Sequence, residues 1–138
     1  MDKMMIHGGA PLRGSVSLSG SKNAALPIMM ASLLTAEPLK LTNVPRLRDV
    51  KTAMDLLIGL GVEARWTDDH AVELRAANVT SHEASYELVK TMRASFVVLG
   101  PLLARTGRAR VSTPGGCAIG ARPVNLYISG IRSLGSKI

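Results

Sequence analysis

The apolar positions of this chain change period several times, and each change predicts an element. In Ser15-Val16-Ser17-Leu18-Ser19 apolar and polar residues alternate, the period of a strand with one buried face. Two opening strands are predicted, Lys3–His7 and Leu12–Ser19, separated by the turn residues Gly8-Gly9-Ala10-Pro11. From Ser21 or Asn23, both suitable N-caps, the spacing becomes helical, with Leu26, Met29, Met30, Leu33 and Leu34 on one stripe. Pro27 is expected in the first turn, where its missing N–H does little harm, and the helix should stop before Pro38. Leu39-Lys40-Leu41-Thr42-Asn43 alternates again and predicts a strand closed by Pro45. A second helix is expected with Asp49 as its N-cap, a stripe of Ala53, Leu56, Leu57 and Leu60, and Gly61 as its stop. Val62–Trp66 and His70–Arg75 then predict a hairpin across Thr67-Asp68-Asp69.

The same order recurs. Met92-Arg93-Ala94-Ser95 opens a helical pattern containing Val97, Val98, Leu102 and Leu103. The stretch Ala109 to Pro114 mirrors Leu39 to Pro45, starting at an offset of 70 residues, and Ile128 to Gly135 mirrors Met54 to Gly61 at an offset of 74. Such internal repeats set the architecture. The unit is α/β (α+β): a strand leading in, then helix, strand, helix and hairpin. Unit one runs over about 14–76 and unit two over about 79–138. Where the first copy has two further strands, the second has Ser136-Lys137-Ile138. A terminus inside a predicted strand leaves sheet edges unpaired and a helix face uncovered, so the chain is expected to be a fragment of a longer protein.

Composition narrows the chemistry. With 46% apolar and 20% charged residues over 138 positions, the chain should fold. Aromatics are 3%, so the core must come from aliphatic residues and the seven Met. The formal charge of +7 suggests an anionic partner. Nucleic-acid proteins gather their cations on one face with aromatics between them. Here the cations are spread and the aromatics too few, which favours small phosphorylated ligands over nucleic acid. One cysteine excludes an internal disulfide and points to a reducing compartment. That cysteine and three scattered histidines, His7, His70 and His82, offer no metal-ligand spacing. The longest mostly apolar stretch, Ala24 to Leu34, falls short of the roughly 20 residues of a membrane span. The first residues contain no apolar signal-peptide segment.

Three places carry candidate chemistry. Ser19-Gly20-Ser21-Lys22-Asn23 joins a strand to a helix start, where backbone N–H groups and a lysine can bind an anion. A plain capped helix with a solvated lysine accounts for the same residues. Lys90-Thr91-Met92-Arg93-Ala94-Ser95 occupies the equivalent position of the second copy, with Arg93 aligned to Asn23. A surface basic pair is the alternative there. Thr113 to Pro123 surrounds Cys117 with three glycines and two prolines, a poor core strand. A lone cysteine is usually a small buried hydrophobe. Arg122, if the loop brings it near, would favour the thiolate.

In these residues the chain resembles a known family. Ser21-Lys22-Asn23-Ala24-Ala25-Leu26-Pro27, Lys90-Thr91-Met92-Arg93-Ala94-Ser95 and Pro114-Gly115-Gly116-Cys117-Ala118-Ile119-Gly120-Ala121-Arg122-Pro123-Val124 closely resemble the UDP-N-acetylglucosamine 1-carboxyvinyltransferases, the enolpyruvyl transferases of bacterial peptidoglycan synthesis. The sister family that makes enolpyruvyl-shikimate phosphate shares the SGSK turn but lacks the Asn-Ala-Ala-Leu-Pro continuation and the Gly-Gly-Cys loop.

The resemblance implies two domains, each an inside-out α/β barrel of three repeated units with the active site between them. Residues 1–20 would be strands pairing with the other domain, and 21–138 an incomplete first barrel domain. It implies transfer of enolpyruvyl from phosphoenolpyruvate to the sugar 3′-hydroxyl with loss of phosphate, in the cytoplasm, in the service of cell-wall growth, shape and division. Neither metal nor organic cofactor is implied. Lys22, Asn23 and Arg122 match the phosphoenolpyruvate site, and Cys117 matches the proton donor and thioether-forming residue, the target of fosfomycin. Arg93, Arg122, Pro123, Val124, Asn125 and Leu126 match the UDP-N-acetylglucosamine site. Asn125 stands where the family usually has Asp, keeping an acceptor oxygen but losing the charge. The family's remaining active-site groups come from later sequence, so the isolated 138 residues are expected to be inactive without the rest of the protein. A non-catalytic UDP-sugar-binding fragment or pseudoenzyme is the competing reading.

Overall fold

Helix α1, Lys22–Met30, and helix α2, Arg48–Gly59, pack together and bury the stripes their sequences carry. They are seen in a computed structural model that describes residues 3–84, 86–90, 92–112 and 124–138. Ser21 caps α1, its Oγ accepting from the Ala24 N–H at 3.4 Å. The helix tightens into a 3₁₀ segment, Ala31–Leu34. Three residues per turn rotate the stripe, so Leu33 is buried while Leu34 faces solvent. In α2 the expected Ala53, Leu56 and Leu57 are buried with Val50 and Met54, and Leu60 follows just past the helix end.

Strands β1, Leu39–Leu41, β2, Glu63–Asp68, and β3, Ala71–Arg75, form an antiparallel sheet in the order β1-β3-β2. The register sets Leu39 and Ala64 opposite Leu74, and Leu41 and Trp66 opposite Val72. A period of two therefore puts all six on the face that packs on the core. Lys40, Glu73 and Arg65 line up on the other face, where Arg65 and Glu73 pair at 2.6 Å.

The connection from β1 to α2 is a tight corner. Asn43 turns it with a left-handed φ of 55°. The Val44 N–H donates to the His70 carbonyl at 2.8 Å, tying the corner to the hairpin turn. Arg46 reinforces the tie: its Nε donates to the Asp69 carbonyl at 2.8 Å, and Nη2 to that of Asp68 at 3.2 Å. Its guanidinium lies 4.4 Å from the centroid of the Trp66 ring. The turn before α1 is pressed onto the same corner. A Cβ on Gly20 would sit 1.7 Å from the Asn43 carbonyl oxygen, so only glycine fits.

Unit two follows the same order in shorter pieces. Strand β4, Glu83–Ala84, leads into α3, Tyr86–Val89, a 3₁₀ segment, Arg93–Val98, and α4, Leu99–Thr106. Strand β5, Arg110–Val111, then pairs in parallel with β4, and α5, Asn125–Ser133, comes last. Leu134 mirrors Leu60 in sequence but not in burial: Leu60 is 1% exposed and Leu134 87%. Leu60 belongs to the core cluster, and its carbonyl accepts from the Thr80 N–H at 2.9 Å in the segment that follows β3; among the described residues no hairpin covers α5.

Several expectations need correction. Residues 3–20 form no strand here; Val16 and Leu18 have the right alternation but meet no partner and stay exposed. A strand is made by its neighbour's hydrogen bonds, which alternation alone does not supply. Pro27 lies in the second turn of α1, not the first, so the Asn23 carbonyl loses its usual intrahelical donor. Leu47, not Asp49, is the N-cap of α2, and Asp49 lies in its first turn. The hairpin strands run to Asp68 and from Ala71, closing the turn to Asp69-His70.

The corner makes Gly20 intolerant of a side chain. Gly20→Ala in the complete protein is expected to lower stability by about 1–3 kcal/mol through overpacking, read as a lower urea midpoint; an unchanged midpoint would mean the corner opens freely.

Candidate functional site

Lys22 and Asn23 are the first two residues of α1. Their N–H groups have no acceptor inside the helix, because the first intrahelical bond is Ala25 N–H to the Ser21 carbonyl at 2.9 Å. Pro27 has no N–H, so the Asn23 carbonyl also lacks its i+4 donor. The two N–H groups and the positive helix end form an electropositive ledge beside a small hollow lined by Ser21, Ala24, Ile28, Thr42, Asn43 and Val44. Asn23 is exposed and Lys22 half-buried.

The Lys22 ammonium is held from the neighbouring helix. Its Nζ lies 2.7 Å from Oδ2 of Asp49, with the side chains 42% and 35% exposed. Lys22 stands in the first turn of α1 and Asp49 in that of α2, so the two helix starts meet at this end. Sequence reading assigns Asp49 to capping and misses this role. Ion pairing between residues 27 positions apart leaves no local signal.

The second motif opens the matching segment of unit two. Arg93 is the first residue of the 3₁₀ segment, and Met92 and Ser95 are buried. Lys90 pairs with Glu87 and lies 5.6 Å from the Tyr86 ring centroid. The hydrogen bond to Glu87 raises its pKa above the ordinary 10.5, more than the small desolvation opposes it. A raised lysine pKa contributes stability below 10.5 and loses it only as pH climbs past the folded value, so Lys90 is a fixed cation at neutral pH.

Of the third motif, Cys117, Arg122 and Pro123 lie outside the described residues. Val124, Asn125 and Leu126 are described: Val124 is the N-cap of α5, and Asn125 and Leu126 are its first, exposed residues. Tyr127 fastens this segment to the 3₁₀ segment that the second motif opens and to the start of α4. Its hydroxyl accepts from the Gly100 N–H at 3.1 Å and donates to the Val97 carbonyl at 3.5 Å. Its ring meets Phe96 edge to face at 5.5 Å. The hydroxyl sits 2.6 Å from where a Cβ on Gly100 would be. The structure thus joins Lys22 to Asp49 and residues 124–126 to the Arg93 segment, two arrangements on one chain. Among the described residues no group of three or more His, Cys, Asp and Glu could hold a metal, and no helix is long and apolar enough to cross a membrane.

Comparison with known proteins adds three findings. The family model described as EPSP synthase (3-phosphoshikimate 1-carboxyvinyltransferase) matches residues 6–138. A UDP-N-acetylglucosamine 1-carboxyvinyltransferase of Solibacter usitatus (strain Ellin6076) is 58% identical over 138 residues, and one of Idiomarina loihiensis (strain ATCC BAA-735 / DSM 15497 / L2-TR) is 57% identical. Each alignment takes in 100% of this chain and 33% of the relative, so the chain spans about a third of the length of the curated relatives it matches. The crystal structure of the enolpyruvyl transferase NikO from Streptomyces tendae is similar at a TM-score of 0.65 and 26% identity, over 75% of this chain and 24% of that one.

Tyr127→Phe is expected to cost about 0.5–1.5 kcal/mol, the net value of a lost hydrogen bond. Hydrogen exchange at the Gly100 amide should quicken, and unchanged exchange there would show that the hydroxyl does not hold it.

Proposed function

This chain belongs to the EPSP synthase family of carboxyvinyltransferases, and on that premise we propose that the complete protein transfers the enolpyruvyl group of phosphoenolpyruvate to the 3′-hydroxyl of UDP-N-acetylglucosamine. The observation that carries the choice of acceptor is the 55–58% identity, along the whole chain, to relatives bearing that name. The product places the activity in cytoplasmic peptidoglycan synthesis, and so in growth, shape and division of the cell.

The reaction is addition followed by elimination. The sugar oxygen attacks C2 of phosphoenolpyruvate while C3 gains a proton, giving a tetrahedral ketal phosphate. Loss of inorganic phosphate and of a C3 proton then leaves the enol ether. Lys22 and the free N–H groups of Lys22 and Asn23 provide positive charge where phosphate and carboxylate need it. Cys117 is assigned the proton donor at C3 and must keep its proton until that step. Arg122 adds a second cation near the phosphate. Arg93 and residues 122–126 are assigned to the UDP-sugar, with Asn125 accepting from uracil through its amide oxygen. Residues 1–20 are assigned to the other domain's sheet, which would cover their exposed apolar positions.

The complete protein is expected to release inorganic phosphate from phosphoenolpyruvate with UDP-N-acetylglucosamine and not with shikimate 3-phosphate. The reverse preference would move it to the sister activity, and binding of the UDP-sugar without turnover would make it a pseudoenzyme. Fosfomycin should add its mass at Cys117 and nothing to Cys117→Ser. An active protein unlabelled at that thiol would sink the assignment of the proton donor.

A further inference from the structure

We propose that Asp49 is a positioning residue for catalysis, holding the Lys22 ammonium at the mouth of the phosphoenolpyruvate site; this rests on the reading of Lys22 given above. A lysine at the first position of a helix is in the wrong place electrostatically, because its charge faces the positive helix end. Helix α1 offers it no relief, since its first turn contains no acidic residue. The side chain is also long and rich in rotamers, so an unanchored ammonium would spread over many positions. Asp49 answers both difficulties from the next helix, at 2.7 Å.

The carboxylate is free for this task. Among the described residues it accepts no capping hydrogen bond of α2, whose N-cap Leu47 makes no side-chain bond. Two of the neighbouring cations are engaged elsewhere: Lys51 pairs with Asp55 at 2.7 Å, and Arg46 is bound to the hairpin turn. The start of α1 and the corner that leads to α2 are pressed together through Gly20 and Asn43. The two charged residues therefore sit on one rigid corner. Both are more than a third exposed, and pairs of that kind add little to stability. The effect of the pair falls instead on where the ammonium points. An ammonium has three donors, so one can stay on Asp49 while two turn to the oxygens of the anion.

The test is a double-mutant cycle in the complete protein, with Asp49→Ala, the isosteric Asp49→Asn, Asp49→Glu, Lys22→Met, and the Lys22→Met/Asp49→Ala pair. Phosphoenolpyruvate binding is measured by calorimetry, and KM and kcat for both substrates with Tm beside them. Asp49→Ala and Asp49→Asn should weaken phosphoenolpyruvate binding and raise its KM about tenfold, the scale of one charged hydrogen bond. KM for the UDP-sugar and Tm should stay put, Asp49→Glu should recover most of the loss, and Asp49→Ala should cost nothing more once Lys22 is Met. The proposal is overturned if binding is unchanged or tighter, if the losses add, or if both KM values and Tm shift together. Coupling seen by calorimetry in a protein that uses another acceptor would sink the function proposed above and leave this one standing. Turnover as proposed with additive losses would do the opposite. A wild-type protein that does not bind phosphoenolpyruvate at all would overturn both.

Discussion

The contact between Gly20 and the Asn43 carbonyl is the constraint from which the rest of unit one follows. A backbone can approach another backbone that closely only where there is no side chain. Because Gly20 allows it, α1 starts directly against the corner that launches α2. The corner is fastened to the hairpin turn by the Val44 N–H and by Arg46. Helix starts, corner and hairpin turn thus form one block, and the buried stripes of α1 and α2 pack on the apolar face of the sheet behind it. The candidate site is the outer edge of that block. Its charges are placed by packing and not by loops that could wander.

The two units show what a repeat can and cannot carry. Both run helix, strand, helix, and both put a motif residue at the start of a helical segment, Lys22 at that of α1 and Arg93 at that of the 3₁₀ segment. The stripe in unit one is closed over by β2 and β3. The face of α5 has the same spacing, but among the described residues no sheet lies over it, and none of its residues is buried. The difference lies in what covers the helix, since the sequence patterns agree. Coverage by a later segment is the ordinary condition of a repeat stacked on its neighbours.

Much of this was legible in the residues. Period and punctuation place α1, β1, α2 and the hairpin, because each is an amphipathic element whose buried face is written locally. Legibility stops where an element depends on something distant. Ser15 to Ser19 has the alternation of a strand, yet alternation names no partner, and the segment lies unpaired. Pro27 shows a similar limit: N-cap preference allows either Ser21 or Asn23, and only the choice of Ser21 puts the proline in the second turn. At the site, Lys22 and Asn23 stand out through their turn and their motif. Asp49 does not, since an acid beside a helix start reads as a cap and its reach to Lys22 is a fact of tertiary packing. Cys117 and Arg122 are legible only through the resemblance of their motif to that of the carboxyvinyltransferases, and the chemistry assigned to them is proposed on that resemblance.

Arg46 stacked on Trp66 gives the block a property of another kind. Trp66 is the single tryptophan of these 138 residues, and its ring is covered by the guanidinium that also grips the hairpin turn. The same contact that stiffens the corner therefore places an intrinsic fluorophore on it. Emission from that indole depends on whether the cation stays over its face. Light from one side chain thus reports the state of the corner behind Lys22 without substrate, product or turnover entering the signal.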